Sequence, residues 1–347
     1  METPNNNPKT TENTENKVVT DAQEQIEFTS RIDLSQLQES VFKIKKELQK
    51  VIVGQKDMMD LLIVSLLANG HVLIEGVPGV AKTITAKLLS RTIDVDFSRI
   101  QFTPDLMPSD ILGTSIFNVK NSEFEFKKGP IFSNMILIDE INRAPAKTQA
   151  ALFEVMEEKQ VTIDGKTYKM NEPFVVLATQ NPIEQEGTYR LPEAQLDRFL
   201  FKINVAYPNA DEELEIIMKE QALENTTKME QIKTIISGEK IVEYRALVNQ
   251  INIEENLLKY IANIVVNTRS NSFLYLGASP RASIAILGAS KAFAAINGRD
   301  FVTPEDIKRA TIPVLQHRVI VTPEREMEGL TSKQIIEQII EAVEIPR

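Results

Sequence analysis

The 347-residue sequence contains no cysteine and only two histidines, His71 and His317. Without thiols there is neither a disulfide framework nor a thiolate metal site, and two widely separated histidines are too few for a zinc centre. His71 opens an apolar run and reads as a packing or strand-edge polar residue rather than a catalytic base. Long apolar runs are lacking too. Leu61–Ala68, the longest, is interrupted by Ser65 and falls far short of the roughly 20 residues that a membrane-spanning helix needs. The first residues are rich in Asn, Thr and Glu and have no signal-peptide core. A cytoplasmic protein without membrane insertion is the expectation. Basic charge is also in deficit: 39 Lys and Arg against 49 Asp and Glu give a formal charge of −10. That balance argues against a broad nucleic-acid footprint, which needs clustered cations to neutralise phosphates.

The remaining composition, 42% hydrophobic and 25% charged, is that of a soluble globular protein long enough for two domains with cores. Residues 1–30 carry two lysines against six acidic residues and hardly any aliphatic side chains, so a disordered tail is expected there. From Leu34 the pattern changes. Leu34, Leu37, Val41, Ile44 and Leu48 recur at helical spacing and lead into Val51-Ile52-Val53-Gly54-Gln55.

A second pattern starts at His71. The apolar run His71–Glu75 reads as a buried strand, Gly76-Val77-Pro78-Gly79-Val80-Ala81-Lys82-Thr83 follows it, and Ile84–Leu89 continues with helical spacing. Strand, glycine-bearing loop and helix are the context that a phosphate-binding P-loop requires. Main-chain amides of such a turn point inward and the helix N-terminus adds partial positive charge, so together they hold the phosphates of a nucleotide. Lys82 then reaches the outer phosphates and Thr83 ligates Mg2+. Ala81 stands where glycine usually precedes the lysine, which requires it to keep a negative φ.

Further strand candidates recur at Phe97–Phe102, Asn134–Ile138, Phe174–Ala178 and Phe199–Ala206, separated by helical segments. Alternating strands and helices imply a mostly parallel sheet covered on both faces. Two insertions interrupt the alternation, Ser115–Lys128 around Asn121-Ser122 and Val161–Met170 turning at Asp164-Gly165, and both read as hairpins. Beyond Pro208, which ends the last strand, helices dominate: Asp211–Glu224, Val242–Gln250, Glu254–Val266, Pro280–Ile296 and Pro304–His317. The expected organisation is thus a tail over 1–30, an α/β core over 31–207 and a helical domain over 208–347.

Met135–Glu140 is an apolar strand ending in two carboxylates, at the sheet edge where the P-loop lies. Asp139 is placed to steady the metal ion and Glu140 to polarise the attacking water, since hydrolysis of a γ-phosphate needs alignment and charge stabilisation above all. Alone, such an end is often only a solvated strand terminus; 57 residues beyond Lys82 it gains specificity. The strand Phe174–Thr179 runs into Gln180-Asn181-Pro182. Asn181 either orients the lytic water or merely forms the turn before proline.

These residues together resemble the AAA+ ATPases and, within them, the MoxR group. The similarity runs from Val51–Gln55 through the Gly76–Thr83 loop, Phe102–Asp110, Asp139–Ala144, Ala178–Pro182, Leu191–Phe199 and Ser279–Arg281, covering about residues 34–325. Alanine before the lysine is familiar in MoxR-like loops. The resemblance implies a five-stranded parallel sheet in the order 5-1-4-3-2, a helical lid and ring-shaped oligomers, commonly hexamers, with nucleotide between subunits. Val53 and Gly54 then line the adenine pocket. Arg198 takes the place of the arginine finger that enters the neighbouring site, and Arg281 that of a second sensor reporting the γ-phosphate to the lid. Residue chemistry leaves both arginines an alternative. An Asp-Arg pair at a helix end is commonly a surface ion pair. Ser279 as N-cap and Pro280 at the first position put Arg281 in a helix's first turn, opposed by the macrodipole by roughly 0.3–1 kcal/mol, so its partner is an anion or an acidic neighbour.

The resemblance further implies chaperone-like remodelling of a protein client, partners carrying von Willebrand factor A domains, and hairpins that face partners or a central pore. Packing alone also accounts for the hairpin phenylalanines. Two rival readings share the architecture: the motor subunit of a metal-chelatase-like complex, and a nucleic-acid translocase using Lys120, Lys127, Lys128, Lys166 and Lys169.

Overall fold

Helix α1 (Ser35–Gln49) forms where apolar residues recur every three or four positions. Its Leu37, Val41, Ile44 and Leu48 are buried, each contributing about 1.5–3 kcal/mol of transfer free energy before chain entropy is set against it. The backbone then turns through Gly54 and Gln55, both left-handed (φ 64° and 50°), into α2 (Lys56–Leu67). This computed structural model describes residues 32–182, 188–221 and 228–345; the tail expected over 1–30 lies outside them. Among the described residues no helix is long and apolar enough to cross a membrane.

The central sheet is built from β1 (His71–Gly76), β2 (Phe97–Gln101), β5 (Met135–Asp139), β8 (Val175–Gln180) and β9 (Phe199–Val205), with α3 (Lys82–Thr92), α4 (Pro108–Leu112), α5 (Ala146–Glu158) and α6 (Glu193–Leu196) between them. Two hairpins interrupt the series, β3 (Gly113–Asn118) with β4 (Glu123–Lys128) and β6 (Gln160–Ile163) with β7 (Lys166–Lys169). Spatial order is β2-β5-β8-β1-β9, all parallel. Counting only the five sheet strands, that is the expected 5-1-4-3-2. Alternate residues feed two cores: Val72 and Ile74 join the cluster containing α1 and α2, whereas Leu73, Ile136 and Ile138 join the cluster under α5. Burial of both faces is why these strands read as continuous apolar runs.

His71 has the structural role expected of it. Its Nδ1 accepts the Val176 N–H at 3.0 Å and its Nε2 lies 3.2 Å from the Met156 carbonyl oxygen. Burial pushes its pKa down to about 4, so the ring is neutral and both nitrogens are partnered. The second hairpin turns where Asp164 and Gly165 take φ values of 51° and 75°, the left-handed pair that a two-residue turn demands. It leans on the first hairpin, with the Phe126 and Tyr168 ring centroids 4.6 Å apart and Ser115 Oγ donating to the Asp164 carboxylate. Phe126 is therefore packing, while Phe117 and Phe124 pair at 5.2 Å on the exposed side.

Beyond β9 come α7 (Ala210–Gln221), α8 (Gly238–Gln250), α9 (Glu255–Ser270), α10 (Pro280–Ile296), α11 (Pro304–Leu315), α12 (Pro323–Met327) and α13 (Ser332–Ala342). The last two lie past the final helix expected from sequence. Helix α13 starts with a capping box between Thr331 and Gln334 and buries Ile335, Ile336, Ile339 and Ile340, a pattern that was readable. A short antiparallel ribbon, β10 (Leu274–Leu276) with β11 (Ile320–Val321), is set among these helices.

One residue past α11 ties this helical part to the sheet. The Arg318 side chain is only 3% exposed, and its Nε donates to Asp197 Oδ1 at 2.7 Å. Its Nη1 donates to the Leu200 and Val314 carbonyls and its Nη2 to those of Asp197 and Phe199. All five guanidinium donors thus find acceptors, the condition under which burying an arginine is tolerated.

Candidate ATPase site

The loop after β1 ends at Ala81, which caps α3. Ala81 has φ +61°, contrary to the negative φ expected for a non-glycine residue there. The turn must curl so that successive amides face one point, and that curvature sets the left-handed conformation whatever residue occupies it. Such a conformation costs alanine about 1 kcal/mol, and packing of its methyl against the main core offsets part of this. Gly79 takes φ +88°. Gly76 is required for a different reason: a Cβ there would meet the Val205 carbonyl oxygen at 2.8 Å. We expect Ala81→Gly to raise Tm by about 2 °C, the equivalent of up to about 1 kcal/mol in a chain of this size; a melting point below wild type would show that the methyl contact outweighs the strain.

Lys82 opens α3, and its Nζ donates to the Gly76 carbonyl. Burial lowers its pKa, with Asp139, Glu140 and Glu75 pulling the other way. Pro78, Gly79, Ala81, Lys82, Thr83 and Ile84 line a depression of about 370 Å³ at the carboxyl edge of the sheet, together with Arg99, Gln101, Asp139, Glu140, Thr179 and Asn181. The expected loop, acid pair and Asn181 are thus gathered at one place. Gly76, Val77 and Val80 do not line it: Val77 packs against the main core and Val80 is buried in it.

Neighbouring strands hold the two acids. Asp139 Oδ2 accepts from Arg99 Nε at 2.6 Å and its Oδ1 from Thr179 Oγ1 at 3.2 Å. Glu140 has φ +58°, a second strained non-glycine residue at the site. Its Oε2 lies 2.8 Å from Arg143 Nε and accepts from Gln101 Nε2 at 3.0 Å. Sequence reasoning did not single out Arg99, Gln101 or Arg143. The signal was present: Arg99 and Gln101 alternate along β2, which pairs in register with β5 so that Gln101 lies beside Asp139, and side chains two apart share a face.

Other expected residues lie elsewhere. Gly54 lines a neighbouring depression of about 670 Å³ with Ala206, Tyr207, Glu212 and Ile312, one strand over from the P-loop, and a Cβ on it would meet the Glu212 carboxylate at 2.4 Å. Val53 is buried beside it in sequence. Neither Arg198 nor Arg281 lines the Lys82 depression. Arg281 does sit in the first turn of α10, and its Nη2 donates to Glu157 Oε1 at 2.9 Å, so an acidic neighbour offsets the helix dipole. Ser279 occupies the N-cap position without capping, because its hydroxyl donates to Asp197 Oδ2 at 2.9 Å instead.

A phosphate-binding loop leading into α3, an acid pair at the end of β5 and an amide at the end of β8, all on one edge of a 5-1-4-3-2 sheet, define a P-loop ATPase. Comparison with known proteins narrows the class. Residues 71–201 match the model of the ATPase family associated with various cellular activities (AAA), and residues 266–339 match the AAA lid domain. The chain is 45% identical to the Bacillus subtilis protein YeaC over 304 residues, 88% of this chain and 94% of that one. It is 42% identical to the Mycobacterium tuberculosis chaperone MoxR1 over 320 residues, 90% and 82% of the two chains. A crystal structure of a Cytophaga hutchinsonii protein superposes with a TM-score of 0.84 at 47% identity, covering 90% of this chain and 97% of that one. The chain belongs to the MoxR family of AAA+ ATPases.

Proposed function

We propose that this ATPase binds ATP with Mg2+ in the Lys82 depression and uses its hydrolysis to remodel, assemble or activate protein clients, working in the cytoplasm as a homo-oligomeric ring, commonly six subunits. The carrying observation is that Lys82, Thr83, Asp139, Glu140 and Asn181 line one depression. Main-chain amides of residues 76–84 and the N-terminus of α3 hold the phosphates, and Lys82 neutralises the outer ones. The Thr83 hydroxyl and Asp139 carboxylate are hard oxygen donors suited to Mg2+, which when bound neutralises charge on the β- and γ-phosphates. The bonds from Arg99 and Thr179 leave lone pairs on both Asp139 oxygens for that role. Glu140 accepts the proton of the attacking water, its Oε2 being held by Gln101 and Arg143, while Asn181 orients that water. Val53 and Gly54 are assigned to the wall of the adenine pocket.

Residues 31–207 serve as the core and 208–347 as the lid in this reading. A client with a von Willebrand factor A domain is what family resemblance implies. The chelatase-motor reading finds no favouring observation. For the translocase reading, Glu123 and Glu125 lie between Lys120 and Lys127, and Lys128 stacks on Phe132 at 5.0 Å, so the hairpin lysines form no uniform basic track.

Arg198, in the turn between α6 and β9, is assigned as a trans-acting finger. Arg198→Ala should lower turnover by about 10³ by analogy with other trans-acting arginines and leave nucleotide affinity unchanged. Phosphate-release kinetics alongside isothermal titration test this; undiminished turnover removes the assignment.

A further inference from the structure

Two arginines from distant parts of the chain meet at one carboxylate. Glu157, near the end of α5, accepts a hydrogen bond from Arg281 Nη2 through Oε1 at 2.9 Å, and Arg198 Nε lies 3.7 Å from its Oε2. Arg198 Nη1 also donates to the Phe153 carbonyl, one turn earlier on the same helix. The backbone positions behind both arginines are tied as well: Ser279 Oγ donates to Asp197 Oδ2, and Arg318 grips Oδ1 of the same aspartate. Segments 197–198 and 279–281 therefore present Arg198 and Arg281 side by side from a fixed frame.

We propose that Glu157 is a positioning residue whose carboxylate gathers Arg198 and Arg281 into one two-pronged receptor for the phosphates of a nucleotide held by a second copy of this chain. The inference rests on the trans-acting assignment of Arg198 given above. Neither arginine lines the depression around its own chain's Lys82, an arrangement that suits phosphates held by another copy. Two guanidiniums brought this close repel each other, and a carboxylate between them removes that repulsion while giving each a fixed bearing. All three side chains stay partly in water: Arg281 is 53% exposed, Glu157 40% and Arg198 29%. Pairs of that kind are weak, and a polyphosphate with several negative charges competes successfully for the arginine donors. The carboxylate thus orients the pair without sequestering it.

The test compares the full-length protein with Glu157→Gln, Glu157→Asp and the Arg198→Ala/Arg281→Ala pair, with and without Glu157→Gln. Glutamine keeps the shape and one acceptor and loses the charge. Its turnover at saturating ATP should fall about tenfold while the nucleotide Kd stays within twofold, and aspartate should restore part of the rate. Added to the double arginine variant, Glu157→Gln should change nothing, because residues acting through one another are non-additive. Turnover of Glu157→Gln within twofold of wild type overturns the proposal. So does an effect that multiplies with loss of the arginines, or a parallel loss of nucleotide affinity. Unchanged turnover in the double arginine variant alone overturns the trans assignment, and this proposal with it. Aspartate at 157, which keeps the charge, separates misfolding from misplacement: a Tm lowered equally in both variants with no recovery of rate would mark Glu157 as merely structural and overturn the proposal.

Discussion

Lys82→Ala abolishes nucleotide binding in the expected result, and the local chemistry explains why the loss is large. The ammonium lines a depression whose two acids already have cations of their own, Arg99 on Asp139 and Arg143 on Glu140, so its charge is available to the triphosphate. A hydrogen bond to a charged group contributes about 1.5–3 kcal/mol, and the ammonium has three N–H donors to offer phosphate oxygens. An affinity loss of about 100-fold or more follows. The unliganded protein should not suffer. Burial lowers the pKa of this ammonium, which means that the charge is held at a cost until phosphate arrives. Isothermal titration and a melting curve together check both halves: ATP affinity within tenfold of wild type, or a marked fall in Tm, contradicts the account.

Glu140→Gln is expected to do the opposite, keeping ATP and stalling its hydrolysis. Glutamine preserves the shape that Gln101 and Arg143 engage, and it cannot take up a proton at neutral pH. General-base contributions of about 10²–10⁴ set the expected fall in turnover. The ATP-bound assembly should accumulate, which sedimentation with ATP resolves and which makes this variant the bait for clients. A rate equal to wild type would reassign the base.

Much of this was legible in the sequence. Strands buried on both faces appear as apolar runs, the P-loop is a local motif between a strand and a helix, and Asp139, Glu140 and Asn181 follow their strands directly, so sheet order alone brings them together. Less was legible where partners come from far along the chain. The meeting of Arg281 with Glu157 depends on how the helical part lies against α5, and no spacing rule spans residues 157–281. The five donors of Arg318 likewise reach acceptors on Asp197, β9 and α11, and a lone arginine after a helix gives no hint of burial. At Ala81 the difficulty was of another kind: side-chain identity favoured one backbone region, and the curvature of the loop decided for the other.

The grip of Arg318 on β9 bears on how mechanical work can leave this molecule. Prising α11 away from that strand would leave a guanidinium in an apolar setting with its bonds stripped, at a cost of about 3–5 kcal/mol. Sheet and helix at this seam therefore travel as a single stiff lever. Whatever bends in this molecule therefore bends away from that seam.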